Sequence, residues 1–173
     1  LYSVFTAFLG FKVNNGEYKV MGMSAYGKPK YTDKMYKLIK VSEDGSFKLN
    51  MKYFCYHYST RYSFNKNFTR LLGKPRIPGS YFNLDKTGSE PINEQNIEKN
   101  IYYADIAASI QRVTEEVILK IANYLHEKTK LKKICLSGGV ALNCLANYRI
   151  LKETPFSEIY IQPAAGDSGA ALG

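Results

Sequence analysis

Two glycine-rich turns near the end of the chain carry the residue types best suited to chemistry. Residues 137–140 (SGGV) follow one short apolar run, and residues 165–169 (AGDSG) follow another. Glycines allow a backbone to approach a ligand closely, and the free N–H groups at a helix start attract anions. Asn143, one turn into the helix that we expect after Gly138 and Gly139, is placed to donate an amide hydrogen bond to a phosphate or a base.

Both turns also admit a purely structural interpretation. The carboxylate of Asp167 is compatible with binding Mg²⁺ or a transition metal, but capping the following helix is the simpler role. The pair Gly138-Gly139 is equally compatible with tight packing of a helix on a strand. Neither turn matches GxxxxGK[ST] or GxGxxG. Two such turns on neighbouring strands favour a nucleotide cleft more strongly than either turn does alone.

The elements that must position these turns alternate between strand and helix. Apolar runs at 134–136 and 159–161 predict strands, and residues 140–153 between them are compatible with a helix that Pro155 closes. This order predicts parallel pairing and an α/β fold, in which ligands bind at the carboxyl ends of the strands. A helix over 105–130, with apolar residues every three or four positions, precedes the first strand.

The earlier part of the chain predicts short helices, a hairpin and a long loop. The Asp44-Gly45 turn between two alternating segments predicts a β-hairpin over residues 38–51. Residues 73–98, rich in Gly, Pro, Asn, Lys and Ser, predict a loop-rich insertion. The short helices are expected at residues 2–11 (closing at Gly10), 17–27, 32–38 and 65–72.

An aromatic segment at residues 52–64 (KYFCYHYSTRYSF) is interleaved with Lys52, His57 and Arg61. Such a segment is compatible with base stacking, but we favour a packed wall of the core or a subunit contact. The chain has a formal charge of +9 and a pI near 9.3. Its lysines are dispersed and no block of five basic residues occurs, so the composition does not favour a nucleic-acid partner.

Cysteine usage and hydropathy indicate the setting of the protein. Cys55, Cys135 and Cys144 form an odd set without CxxC spacing, which indicates reduced thiols and a cytoplasmic location. No tract of 18 apolar residues occurs, so we expect no membrane partner. The chain has no initiator Met and stops just after the second glycine-rich turn, so we expect it to be a piece of a longer protein.

Three segments together resemble a known family. They are LYSVFTAFLGFKVNNGEYKVMGMSAYGKP at 1–29, DIAASIQRVTEEVILKIANYLHEKTKL at 105–131, and SGGVALNCLAN with PFSEIYIQPAAGDSGAALG from 137 onward. In order and spacing they are similar to the O-carbamoyltransferases that include the nodulation-factor, cephamycin and tobramycin carbamoylating enzymes. The resemblance covers most of the chain and is least at residues 55–100.

The resemblance implies a fold and a reaction. The fold is the second half of an actin-like (ribonuclease H-like) ATPase domain, a mixed sheet flanked by helices, to which residues 1–173 all belong. The reaction is ATP-dependent O-carbamoyl transfer, in which carbamoyl phosphate and ATP form a carbamoyl-adenylate. A small acceptor, a sugar or other natural product, then receives the carbamoyl group on a hydroxyl.

The resemblance also implies roles for individual residues. The nucleotide-binding turn matches Gly138, Gly139, Val140 and Asn143. Asp167 matches an aspartate that completes a divalent transition-metal (iron-type) site, and Mg²⁺ accompanies the ATP. An upstream motif that faces the sugar of the nucleotide matches Gly16, Glu17 and Lys19. No catalytic residue is assigned.

Two departures from the family pattern limit these expectations. The family's HxxxH metal motif is absent, because His57 and His126 are the only histidines. The N-terminal lobe and the C-terminal domain that handles carbamoyl phosphate also lie outside the chain. We therefore expect no carbamoyl transfer and at most weak nucleotide affinity from these residues alone. The alternatives are a sugar-kinase-like phosphotransferase of the same superfamily and a non-catalytic module that binds tRNA or protein.

Overall fold

The computed structural model describes residues 1–84 and 94–172, which form two compact units. The first unit consists of Leu1–Lys40 and Lys48–Val113, and the second of Val41–Phe47 and the residues from Thr114 onward. In chain order the helices and strands are α1 Tyr2–Phe8, α2 Glu17–Ser24, α3 Thr32–Met35, β1 Ile39–Val41, β2 Phe47–Leu49, α4 Lys66–Leu72, α5 Glu94–Thr129, β3 Lys133–Leu136, α6 Cys144–Glu153 and β4 Glu158–Ile161. Short 3-10 helices lie at Met51–Tyr53, Gly139–Leu142 and Asp167–Leu172.

Aromatic side chains fill the core of the first unit. The apolar residues of α1 recur at helical spacing, so Phe5 and Phe8 lie buried on one face of that helix. Phe68 of α4 packs among them, with its ring centroid 5.4 Å from that of Phe5, 5.5 Å from that of Phe8 and 6.0 Å from that of Phe54. These edge-on and tilted contacts are the geometry that aromatic pairs prefer.

A buried carboxylate fixes the segment after α2 to α5 within the first unit. Asp105 is 3% exposed, accepts a 2.7 Å hydrogen bond from the Lys28 N–H and pairs with Lys30 Nζ at 2.7 Å. A Cβ at Gly27 would overlap the backbone of Ala104, so glycine is required there. Within α2 itself, Val20 and Met23 are buried in the core.

The predicted hairpin is confirmed. β1 and β2 form a two-stranded sheet, and the Ser42 N–H donates to the Ser46 carbonyl across the turn. Gly45 has φ of 80°, a conformation that an L residue adopts only with strain. A Cβ at this position would also lie 2.6 Å from the Ile121 nitrogen.

The second unit is built on a pair of parallel strands. β3 and β4 pair in register from Lys133 with Glu158 to Leu136 with Ile161. Helix–strand–helix packing buries one face of this pair in a small core of Leu119, Ala122, Ile134, Ile150 and Phe156. Parallel pairing of neighbouring strands across a helix confirms the α/β class. Among the described residues the sheets are two separate strand pairs.

Several predicted boundaries were wrong. The first three helices end at Phe8, Ser24 and Met35, before the predicted residues 11, 27 and 38. Helix α5 begins at Glu94, not at Asp105, because tertiary contacts bury Ile97, Asn100 and Ala104 and extend the helix through a polar sequence. The end of the predicted insertion at 73–98 therefore falls inside α5. Residues 73–84 contain no helix or strand, and residues 85–93 lie outside the described residues.

Within residues 1–84 and 94–172, no helix combines the length and the apolar character needed to cross a membrane.

Candidate functional site

The two glycine-rich turns meet at one edge of the parallel strand pair. β3 ends at Leu136 and β4 ends at its register partner Ile161, so both turns leave the same edge of the sheet. The Gly138 N–H donates a 2.7 Å hydrogen bond to the Ala165 carbonyl and joins the turns directly. The sequence therefore predicted correctly that the turns lie side by side at the carboxyl ends of parallel strands.

Gly138 and Gly139 differ in backbone conformation, but both face open space. Gly138 has φ of 94° and ψ of 165°, a region that only glycine occupies without strain. Gly139 has no positive φ, and a Cβ placed on it would meet no atom within 4 Å. The same open space surrounds Gly138. Tight helix–strand packing, the alternative interpretation of the pair, is therefore wrong for these described contacts.

Asn143 lies at the start of the helix and not one turn inside it. Residues 139–142 form a 3-10 helix, and α6 begins only at Cys144. The side-chain oxygen of Asn143 accepts a 3.1 Å hydrogen bond from the Ala146 N–H, which is the usual bond of a helix N-cap. With 9% exposure, Asn143 is buried beneath the turn, whereas Val140 is 55% exposed on its surface.

The second turn contains a buried amide oxygen that the sequence did not single out. The side-chain oxygen Oε1 of Gln162 is buried and has no hydrogen-bond partner among the described residues. A Cβ on Gly169 would lie 3.0 Å from that oxygen and would overlap the Ala164 carbonyl. A buried acceptor without a donor is costly, so Gln162 is a candidate contact for a hydrogen-bond donor on a ligand. Only its position directly after a strand could have indicated it.

Asp167 opens the last 3-10 helix and is exposed. Among residues 1–84 and 94–172 no three His, Cys, Asp or Glu side chains are grouped closely enough to hold a metal. Transition metals in proteins usually have three or four protein ligands. The residues described here therefore do not by themselves fit an iron-type site, and Asp167 supplies at most one ligand.

An apolar cavity lies beside the first turn. Its volume is about 220 Å³, and its walls come from α5, β3, the 3-10 helix at Gly139–Leu142 and α6. The polar groups in the walls are few, with Ser137 and Asn147 among them. The lining residues are Ile118, Ile121, Ala122, Leu125, Ile134, Cys135, Leu136, Ser137, Val140, Ala141, Asn147 and Ile150.

A charge network holds α6 in place beneath the turn. Arg149 donates to both carboxylate oxygens of Glu153, at 2.6 and 2.7 Å, and to Oε2 of Glu115 at 2.9 Å. These bonds, those to Glu153 first, raise the pKa of Arg149 above its ordinary value. The two-sided pairing fixes α6 against the part of α5 that belongs to the second unit.

The upstream motif lies in the first unit. Glu17 accepts hydrogen bonds from the N–H groups of Asn14 and Gly16, at 3.0 and 3.1 Å, and so stabilises the turn before α2. A Cβ at Gly16 would lie 2.8 Å from Cβ of Phe11, so packing alone requires that glycine. Lys19 is exposed, with its ammonium 5.8 Å from the Tyr18 ring centroid. The structure thus gives Gly16 and Glu17 structural roles.

Sequence comparison identifies the family. The family profile described as Carbamoyltransferase N-terminus matches residues 1–173, the whole chain. The chain belongs to the carbamoyltransferase N-terminus family. The resemblance inferred from the three segments is thereby confirmed at the level of the family.

Relatives show how much of a carbamoyltransferase-family protein the chain represents. An uncharacterized protein of Synechocystis sp. is 47% identical over 175 residues, covering 100% of this chain and 26% of the relative. An uncharacterized protein of Methanocaldococcus jannaschii is 33% identical, covering 100% of this chain and 24% of the relative. Nodulation protein NolO of Bradyrhizobium diazoefficiens is 27% identical over 91% of this chain and 24% of its own length. The chain spans about a quarter of the length of the curated relatives that it matches.

Proposed function

We propose that the protein containing these residues is an ATP-dependent O-carbamoyltransferase of actin-like fold. In a first step carbamoyl phosphate, water and ATP give the carbamoyl-adenylate, phosphate and pyrophosphate: water releases phosphate to leave carbamate, and a carbamate oxygen bonds to the α-phosphorus of ATP as pyrophosphate departs. In a second step a hydroxyl of a small acceptor, a sugar or other natural product, takes the carbamoyl group. In that second step the acceptor oxygen bonds to the carbamoyl carbon while the bond from this carbon to the AMP phosphate oxygen breaks. The family match supports carbamoyl transfer, and the geometry of the second unit supports a nucleotide.

The open backbone at Gly138 and Gly139 is the observation that carries the nucleotide assignment. No atom of the described chain fills the space in front of either glycine. A phosphate or ribose can therefore approach the main chain there, at the strand edge where α/β folds bind ligands. In this proposal Val140 covers one side of the nucleotide, and Asn143 shapes the turn from beneath.

The remaining site residues have supporting parts in the proposal. Asp167 supplies one ligand to a divalent metal whose other ligands come from elsewhere in the full-length protein, and Mg²⁺ accompanies ATP; we assign no step of the reaction to either metal. The role of Gly16, Glu17 and Lys19 toward the nucleotide's sugar stays a prediction; in the first unit Gly16 and Glu17 shape the turn before α2, and Lys19 is exposed on that helix. A further lobe and a carbamoyl phosphate-handling domain complete the enzyme, which acts in the cytoplasm.

An assay that needs no knowledge of the acceptor tests the proposal. The full-length protein is incubated with ATP, carbamoyl phosphate labelled at the carbamoyl carbon, and hydroxylamine as a substitute nucleophile. The hydroxylamine nitrogen bonds to the carbamoyl carbon and AMP departs, so labelled hydroxyurea, AMP and pyrophosphate should form together. A control reaction without ATP measures the hydroxyurea that forms when hydroxylamine attacks carbamoyl phosphate directly.

The products discriminate between the candidate functions. Formation of ADP with transfer of the γ-phosphoryl group to a sugar would replace the proposal by a sugar-kinase-like phosphotransferase. Unchanged ATP in the presence of carbamoyl phosphate would favour the non-catalytic module. The isolated 173-residue chain is expected to give no hydroxyurea above the reaction without ATP.

A further inference from the structure

A loop in the first unit displays aromatic side chains on a rigid base. We call residues 53–65 the tyrosine loop. Its two ends pair as short antiparallel segments, with Phe54 bridged to Phe64 and the Cys55 N–H donating to the Ser63 carbonyl. Phe54 is fully buried, and the Phe64 ring stacks on Phe68 at 5.1 Å between centroids. The loop is therefore anchored in the aromatic core.

The tip of the tyrosine loop is held by its own hydrogen bonds. The Ser59 N–H donates to the Cys55 carbonyl at 2.8 Å, and the Tyr62 N–H donates to Ser59 Oγ at 3.1 Å. The Cys55 thiol donates to the Tyr62 carbonyl at 3.1 Å, and burial raises the pKa of that thiol. A tip with a fixed backbone presents its side chains in a defined arrangement, which lowers the entropy lost on binding.

The tip points its aromatic rings outward. Tyr56 is 44% exposed, and Tyr58 and Tyr62 are each 70% exposed. The His57 ring lies edge-on against Tyr58 with 4.6 Å between centroids. For these tyrosines the expectation of a packed core wall was wrong, although it holds for Phe54. Tyrosines this exposed are available to stack on the flat faces of a partner.

The sequence on both sides of the tyrosine loop carries charge of a single sign. From Lys48 to Leu84 the sequence contains no Asp or Glu. The same stretch contains seven basic residues: Lys48, Lys52, Arg61, Lys66, Arg70, Lys74 and Arg76. Lys52 lies at the base of the loop, where its carbonyl accepts hydrogen bonds from the side chains of Asn65 and Asn67. The net charge of the whole chain does not reveal this segment, because the acidic residues all lie outside it.

We infer that the tyrosine loop binds single-stranded nucleic acid. Tyr58 and Tyr62 stack on successive bases, while Arg61 at the tip and Lys52 and Lys66 at the base neutralise the phosphates. Stacking on tyrosine beside basic side chains is the general mode of sequence-tolerant single-strand binding. A polyanion fits a stretch without carboxylates better than a neutral sugar does, because the charge of the stretch has no role toward a sugar. The inference does not depend on the carbamoyl transfer proposal.

Fluorescence anisotropy with the full-length protein tests the inference. The probe is a fluorescein-labelled oligouridylate about 16 nucleotides long, at the upper end of single-strand site sizes. With three phosphate contacts the slope of log affinity against log salt should be about −2, so affinity falls about twentyfold between 50 and 200 mM salt. Substituting Arg61→Gln should reduce the magnitude of that slope by about 0.7.

Matched variants separate stacking from charge. Tyr58→Ala and Tyr62→Ala should each weaken binding about fivefold or more, whereas Tyr58→Phe keeps an aromatic face and should bind within about twofold of the unchanged protein. Tyr148→Ala removes a similarly exposed tyrosine from α6, in the second unit, and should have no effect. Because these residues are exposed, the variants should fold like the unchanged protein, and circular dichroism verifies this.

Other results would overturn the inference. Absence of binding at 50 mM salt would do so, as would equal affinity for double-stranded RNA. Alanine variants that bind like the unchanged protein would reduce the loop to a non-specific charge effect. Preferential binding to phosphatidylserine-containing vesicles would assign the loop to a membrane surface. If Tyr58→Ala dissociated a dimer in light scattering, the loop would be a subunit contact.

Discussion

Replacing Gly139 by alanine isolates the open space in front of the turn from the stability of the fold. Gly139 has an ordinary φ, and an added Cβ meets no atom within 4 Å. In a compatible conformation Gly→Ala stabilises a protein by about 0.4 to 1 kcal/mol, because it restricts the unfolded chain. We therefore expect the free energy of unfolding of Gly139→Ala to be unchanged or slightly raised.

The same methyl group should obstruct a nucleotide. Forcing an additional methyl into a close contact costs about 1 to 3 kcal/mol, which corresponds to a nucleotide affinity about 5- to 150-fold weaker. Isothermal titration of the full-length protein with MgATP measures the affinity, and urea unfolding measures the stability. Gly22→Ala is the matched control, since a Cβ at this helical position also meets nothing within 4 Å.

The two glycines of the turn should respond differently. Gly138→Ala forces an L residue into φ of 94°, so it should lower stability by about 1 to 3 kcal/mol in addition to any effect on binding. The reasoning fails if Gly139→Ala folds normally and binds MgATP like the unchanged protein and the Gly22→Ala control. That result would mean that the open backbone does not face the nucleotide.

Three further predictions concern single side chains. Asn143→Asp keeps the helix cap and loses the amide donor, whereas Asn143→Ala loses both. If Asn143 only caps the helix, urea unfolding should show a free energy of unfolding lower by about 1 kcal/mol for Asn143→Ala alone. If Asn143 also contacts the nucleotide, both variants should bind MgATP more weakly. Burial raises the pKa of Tyr102 to about 12, so its contribution to stability is present below pH 10 and is lost as pH rises toward 12. Between pH 10 and 12 the free energy of unfolding should therefore fall less in Tyr102→Phe than in the unchanged protein. The same pH dependence in both proteins would contradict the prediction. Cys55 is buried with a raised pKa, and a thiol reagent should therefore modify it only after unfolding, while the exposed Cys135 and Cys144 react in the native protein.

Features coded by adjacent residues were predictable from the sequence. The Asp44-Gly45 turn specified the hairpin, and Asn65 at the start of α4 caps that helix by accepting from the Asn67 N–H. The parallel pairing of β3 with β4 followed from two apolar segments separated by a helix, and the register places both turns at one edge. In each case the signal lies within a few residues or in a strong periodicity.

Features that depend on distant contacts were not predictable in the same way. The start of α5 at Glu94 depends on the burial of Ile97 and Asn100, which no local pattern marks. The tyrosine loop separates residues of one aromatic segment into a buried Phe54 and an exposed Tyr58, and only the tertiary core decides which ring is inside. The Gln162 oxygen, which has no partner among the described residues, is likewise buried only through the tertiary fold of the second turn.

The structure changes which physical argument supports an anion site at the first turn. The sequence placed the helix start at the glycines, where N–H groups and the helix dipole would act together. In the structure α6 starts four residues later, beneath the turn, and the Asn143 side chain already accepts from its Ala146 N–H. The Gly138 N–H is likewise bonded to the Ala165 carbonyl. What remains for a ligand is the uncovered main chain of Gly139, so shape and close backbone approach, and not the helix dipole, determine whether this turn binds a nucleotide.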